Sequence, residues 1–281
     1  MFITFFKCHV CKITEISFNL HIIIHVIITD MDTKCYFSTR RTVRSYSDKV
    51  IPDTLLNDML EQASHAPTTG NMQLYSVIIT RDPEMKRRLS PAHFNQPSVC
   101  AADVVLTFCT DFNRFDRWCQ ARDAKPGYEN FQSFMSAVLD TTIFAQQFVT
   151  IAELNGLGTC YLGTTTYNAP QIAEILDLPE MVVPITTVTV GYPAGEAPVS
   201  DRLPLNAIMH TEHYKDYTPD DINRIYSEKE SREDSTRFIA ENGKKTLAQV
   251  FTDIRYPREN NETFSKVFYD FIISKGYKMP F

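Results

Sequence analysis

Between Tyr128 and Asn155 the chain has neither glycine nor proline, and apolar side chains recur throughout: Phe131, Phe134, Met135, Val138, Leu139, Ile143, Phe148, Ile151, Ala152 and Leu154. Nothing in this stretch interrupts a helical hydrogen-bond ladder. It predicts one long helix over 129–155, with Gly156 as its C-terminal stop. At about 1.5 Å per residue such a helix spans about 40 Å. One small domain does not normally cover so long an apolar helix, so a second layer or a second subunit is expected against it.

The remaining elements alternate around that helix. Pro52 and Asp53 open a helix carrying Leu55, Leu56, Met59, Leu60 and Ala63 at helical spacing, and Pro67 closes it. Residues 74–80, 103–109 and 184–191 read as strands, and the second is apolar throughout, as in a strand buried on both faces. Asn168 with Gln171 makes a capping box for a short helix carrying Ile172, Ile175 and Leu176. Beyond Pro204 the chain turns polar and then amphipathic, ending in a helical stretch around Phe264–Ile273. The pattern predicts an α+β fold with one compact core.

Composition removes several classes of function. Lys and Arg total 28 against 34 Asp and Glu, a net charge of −6, which is poorly suited to neutralising phosphates along a nucleic acid. Seven cysteines spread over 281 residues do not make a disulfide framework, and a reducing, cytoplasmic setting is expected. Residues 1–30 differ from the rest, with no alanine and no glycine. The apolar run Phe18–Ile28 is shorter than a membrane span, so no membrane anchor is expected. Cys8, Cys11, His21 and His25 give a zinc-like spacing, with too few residues between the pairs for a classical finger. A zinc-dependent interaction module is therefore one reading of this segment. The preferred one is upstream sequence, with translation starting at Met31.

Familiar catalytic signatures are missing. There is no H-E-x-x-H and no G-x-S-x-G, and Gly243-Lys244-Lys245-Thr246 lacks the first glycine of a P-loop, with Phe238 in its place. Gly156-x-Gly158 follows a helix and leads to a strand, the reverse of the order a dinucleotide fingerprint needs. Two polar groups remain. Arg40-Arg41-Thr42-Val43-Arg44-Ser45 gathers three guanidinium groups and two hydroxyls, the donors that a phosphate monoester requires. A solvated basic edge explains the same residues. Ala66-Pro67-Thr68-Thr69-Gly70-Asn71-Met72-Gln73 is dense in amides and hydroxyls that could read a heteroaromatic edge, and a plain turn explains it equally well.

Taken together, the two groups resemble the start of the FMN-dependent nitroreductase family, whose usual pattern is R-R-S-x-R, a helix, then A-P-S-x-x-N-x-Q. Three further segments match in order: Ala101-Ala102-Asp103 through Arg114, Gly156 through Gly163, and Gly191-Tyr192-Pro193 followed by Asp201-Arg202-Leu203-Pro204. They are similar to the NADPH-dependent, oxygen-insensitive nitroreductase and flavin reductase branch. The resemblance covers about residues 36–281.

That resemblance implies a mixed sheet sandwiched by helices, in a domain-exchanged homodimer with FMN at the subunit interface. It implies FMN-binding residues Arg40, Arg41, Thr42 and Arg44 at the phosphate and ribityl chain, with Arg44 toward the N1 side of the ring. Asn71 and Gln73 would face the ring and ribityl chain, Tyr161, Leu162 and Gly163 would offer backbone near N5, and Arg202 would be a second phosphate ligand. Asn95 or Gln96 would come from a loop that approaches the flavin, and Lys229 or Arg232 would help hold NADPH. The implied reaction is ping-pong hydride transfer from NADPH or NADH to nitroaromatics, quinones or related planar acceptors, with no side-chain nucleophile and no metal. A flavin reductase supplying reduced FMN is the alternative. Residues 31–210 would form the FMN-binding core and 211–281 a C-terminal extension packing on the dimer partner, with no nucleic acid or membrane as partner.

Overall fold

The structure is a computed structural model that describes residues 36–278. Residues 1–30 and Met31, with the Cys8, Cys11, His21 and His25 set, lie outside the described residues. The chain divides into two compact units, one ending at Arg41 and the other beginning at Thr42. In the first, residues 36–39 form a helical turn. Tyr36 and Phe37 meet edge to face at 4.9 Å, and Arg41 Nε donates to the Thr39 carbonyl at 3.4 Å. Arg40 and Arg41 belong to this unit.

In the second unit, strands β1 (Tyr75–Thr80), β2 (Val104–Asp111), β3 (Gly158–Leu162) and β4 (Val182–Gly191) form one sheet in the order β1-β2-β4-β3. All three neighbouring pairs are antiparallel, where a mixed sheet was expected. The crossover from β2 to β3 does return the chain in the same sense. β4 lies between them and runs against both, so no two neighbours are parallel. The α+β class stands.

Period-two alternation divides the sheet's faces between two helical layers. Val104, Leu106 and Phe108 of β2 join a core with helix α1 (Asp53–Ser64). Val105 joins a core with Leu89, Ala92 and Val99, from the segment holding helices α2 (Pro83–Leu89) and α3 (Pro97–Ala101). Helix α4 (Asn113–Gln120) follows β2 directly.

The long helix is α5 (Phe131–Leu154), begun by Asn130, whose Oδ1 accepts from Ser133 N at 3.0 Å. It ends in a Schellman motif: Gly156 takes φ 77°, its N donates to Glu153 O at 3.0 Å, and Leu157 N donates to Ala152 O at 3.0 Å. α5 buries Phe134, Ala137, Phe144, Phe148 and Ala152, while Phe131, Leu139, Ile143 and Leu154 stay between 42% and 57% exposed. Only half of the apolar pattern is spent within the chain. The helix is long and apolar enough to cross a membrane, but its buried stripe is packed on the sheet.

Helix α6 (Ala169–Ile175) forms where expected, but the capping box does not. Asn168 instead sends its Nδ2 to the Ala92 carbonyl at 2.7 Å, a tertiary bond that replaces the local cap. The C-terminal region carries helices α7 (Pro219–Ser231), α8 (Glu233–Glu241), α9 (Leu247–Val250) and α10 (Arg258–Ser274). Phe271, Ile272 and Tyr277 join the chain's own core beside Phe134 of α5.

Candidate functional site

Two cross-strand glycines make the seat of the arginine-rich run. Gly158 opens β3 and pairs with Gly191 at the end of β4. A Cβ on Gly158 would lie 2.6 Å from Val43 Cβ, and one on Gly191 would lie 2.8 Å from Tyr46 Cδ1. Because neither exists, Val43 and Tyr46 settle directly onto the sheet, 6% and 9% exposed. Backbone bonds complete the seat: Val43 N to Thr159 O at 3.0 Å, Ser47 N to Tyr192 O at 2.8 Å and Ala194 N to Ser45 O at 3.1 Å. The Tyr46 hydroxyl lies 2.8 Å from the Val43 carbonyl and 2.7 Å from Thr189 Oγ1. Burial pushes its phenol far above the ordinary value, so it stays protonated. The residues flanking Val43 are then left outward, Thr42 half-buried and Arg44 exposed.

β3 carries the site onward. Leu162 is 1% exposed, Tyr161 is half-buried, and Gly163 is exposed with open space where a side chain would be. The turn after Gly163 is fixed from below. Thr165 Oγ1 donates to the Leu162 carbonyl at 3.0 Å, and Thr164 Oγ1 lies 2.9 Å from Nδ1 of His93. His93 is fully buried, and desolvation holds its imidazole down at about 4, hence neutral. A bare backbone on a rigid turn can approach a flat ligand closely.

The amide loop is held by a buried carboxylate that sequence reasoning missed. Asp140 of α5 is 2% exposed. It accepts from Thr68 Oγ1 at 2.5 Å, Thr69 N at 2.9 Å and Thr69 Oγ1 at 2.8 Å. Thr68 Oγ1 in turn accepts from Gln73 N at 2.9 Å. Within this loop Gly70, Asn71 and Gln73 all take φ between 55° and 57°. Such a run is costly for side-chain-bearing residues and needs outside support. The signal was present: Asp140 lies three residues after Ala137 and four before Phe144, a lone charge on the helix's buried stripe. Arg114 of α4 adds a second tie, donating to the Gln73 carbonyl and, at 3.1 Å, to that of Tyr75.

The structure seats Thr42 and Arg44 beside the start of β3, with Tyr161–Gly163 at the other end of that strand, and places Asn71 and Gln73 at the opposite edge of the sheet. The amide loop enters β1, at the other edge of the sheet and near the row Tyr75, Thr110 and Val183. Val43 contacts the row of Thr159, Val190 and Val104. The Thr42–Arg44 seat and the amide loop stand at diagonally opposite corners, about 14 Å across and about 20 Å along the strands. Arg202 lies in the loop after β4, exposed, with Nη1 donating to the Asp201 carbonyl at 2.7 Å. Lys229 pairs with Asp201 at 2.7 Å and Arg232 with Asp234 at 3.2 Å. Asn95 is exposed and Gln96 half-buried beside the buried His93.

Residues 37–192 match the family described as nitroreductase. Over 182 residues the chain is 32% identical to "FMN reductase (NADPH)" of Bacillus subtilis, covering 64% of this chain and 73% of that protein. Over 244 residues it is 29% identical to a "CR(VI) reductase" of a Pseudomonas species, covering 84% of this chain and 95% of that protein. A crystal structure from Bacteroides fragilis, described as an oxidoreductase, is 55% identical with a TM-score of 0.85, covering 85% of this chain and 98% of that one.

Proposed function

The chain belongs to the nitroreductase family, and from that premise we propose how its residues divide the work. It is an FMN-dependent NAD(P)H oxidoreductase. Bound FMN supplies the redox chemistry, carrying hydride from the nicotinamide to an acceptor.

The donor set fits that cofactor. Thr42 and Arg44 offer a hydroxyl and a guanidinium beside β3, and the seat of Val43 and Tyr46 on Gly158 and Gly191 is the observation that carries the reading. Thr42 and Arg44 would bind the phosphate and ribityl chain, and Arg44 would also offset negative charge on the reduced ring. Arg40 and Arg41 are proposed for the phosphate on the sequence run alone. Tyr161, Leu162 and Gly163 would present backbone to the ring, and Arg202 would add a second phosphate contact. Asn71 and Gln73 would hold the ring's other edge.

Those corners are too far apart for one chain to close a ring-sized site, so we infer a homodimer in which the amide loop of one protomer completes the site of the other. The exposed apolar face of α5 at Leu139, Ile143 and Leu154 supports this interface. The acceptors would be nitroaromatics, quinones or related planar molecules. Similarity to the Bacillus subtilis FMN reductase also favours a reading in which free flavin is the acceptor. Free thiols at Cys100, Cys109 and Cys119 agree with a reducing, cytoplasmic setting.

FMN titration followed by flavin fluorescence tests the assignment. Arg44→Ala is expected to weaken binding about tenfold, as loss of one charge-assisted bond requires. Unchanged affinity would remove Arg44 from the site. Turnover of free FMN well above that of a nitroaromatic at matched concentration would select the flavin reductase reading.

A further inference from the structure

Beside the amide loop is an open cavity of about 400 Å³, of whose lining the flavin assignments use Asn71 alone. Gly70, Asn71 and Met72 of the loop and Arg114, Phe115 and Trp118 of α4 line it. Its wall is aromatic. Trp118 is 57% exposed, and its ring centre lies 5.4 Å from that of Phe115. Phe115 is braced edge-on by Tyr128 at 5.5 Å and by Phe112 at 6.5 Å, so the indole stands on a fixed aromatic base.

One cation lines the same space. Arg114 spends Nη2 on the Gln73 and Tyr75 carbonyls, and its Nε lies 3.8 Å from Asp111 Oδ2. The Asp111 carboxylate is shared, since it also accepts from Arg114 N at 2.9 Å and Ser76 Oγ at 2.5 Å. The two N–H groups of Nη1 are outside those contacts, and the side chain is 55% exposed. An indole face, a phenyl ring and a partly uncommitted guanidinium suit one kind of ligand.

We infer that this cavity is a subsite for a planar aromatic ring bearing a negative group, with the ring against Trp118 and Phe115 and the charge on Arg114. The inference rests on Asn71 being a flavin-facing amide, which puts the subsite next to the place where substrates take turns. Two sources share this chemistry: an aromatic carboxylate acceptor, and the adenine with ribose 2′-phosphate of NADPH.

Trp118 is the only tryptophan in the chain, so its fluorescence reports this wall. FMN-loaded protein is titrated separately with 4-nitrobenzoate and with adenosine 2′,5′-bisphosphate, with N-acetyltryptophanamide correcting for absorbed light. Saturable quenching by the nitrobenzoate assigns the subsite to the acceptor, and quenching by the bisphosphate assigns it to the reductant. Either supports the inference if charge matters as expected. The neutral 4-nitrobenzamide should then bind wild-type protein about fivefold more weakly than the acid. Added salt should erase that preference. Arg114→Gln should erase it too, and because this arginine also ties the loop, the wild-type salt series stands as an independent readout. Absence of saturable quenching by both ligands overturns the inference, as does equal affinity for acid and amide where nitrobenzoate binds, or bisphosphate binding that salt leaves unchanged where only the bisphosphate binds. FMN uptake and NADPH oxidation in the same sample show whether the proposed function survives.

Discussion

Replacing Asp140 with asparagine tests whether the amide loop is held in a strained shape for the cofactor. The substitution keeps the shape of the side chain and exchanges one acceptor oxygen for a donor. In one amide orientation the new NH2 meets Thr69 N and Thr69 Oγ1, and in the other it meets Thr68 Oγ1 and, at 3.5 Å, Leu74 N. At least one charge-assisted bond is lost and one buried donor faces another. At about 1.5–3 kcal/mol for a bond to a charged group, a net loss of about 3 kcal/mol is expected. Asn71 and Gln73 would relax from their positive φ values once released, so the loop would no longer present its amides. Urea unfolding of the FMN-free protein measures the first effect, and FMN titration measures the second, expected as about a tenfold rise in dissociation constant. A stability loss below about 0.5 kcal/mol would refute the buried hydrogen-bond cluster, since that is the range of ordinary surface changes. Full destabilisation with unchanged FMN affinity would refute the link between loop and cofactor.

Other perturbations follow from the same contacts. Gly158→Ala places a methyl 2.6 Å from Val43 Cβ, an atom that no rotamer change can move. About 1–3 kcal/mol of destabilisation and weaker FMN retention are expected in chemical unfolding and titration, and a neutral result would deny the glycine seat. His93 is buried with its imidazole held down at about 4, so the unfolded chain, titrating near 6.5, binds a proton that the native state refuses. Its contribution is complete above about pH 6.5 and is lost as pH falls toward 4, reaching about 2 kcal/mol at about pH 5. His93→Gln should remove that part of the acid sensitivity in unfolding curves compared at the two pH values. Glutamate at both Leu139 and Ile143, 57% and 42% exposed on α5, should convert a dimer to monomer in sedimentation and lower FMN affinity with it. A variant that stays dimeric would place the interface elsewhere.

What could be read from the sequence was what local pattern controls. The long helix, its glycine stop and the strands each carry a periodicity or a conformational signal that acts within a few residues. The capping box at Asn168 failed because its side-chain amide is held by a tertiary bond to the Ala92 carbonyl and accepts nothing from the local backbone N–H groups. Sheet direction was not legible, since it depends on β4 inserting between β2 and β3. The arginine run and the amide loop were visible as chemistry but not as positions. Their diagonal separation follows from strand order, and the glycine seat follows from register between Gly158 and Gly191. Asp140 stands out as one charge within an apolar stripe, but the Thr68 and Thr69 groups that it holds lie 72 and 71 residues away, beyond the reach of local pattern.

The central claim is that the Thr42–Arg44 seat and the Asn71 loop together build a flavin site. Its most direct test is the absorption spectrum of purified protein reconstituted with FMN and freed of excess. A flavin spectrum at one FMN per chain, bleached by NADPH under anaerobic conditions, is the predicted result. A preparation that remains without visible absorption after reconstitution would contradict it.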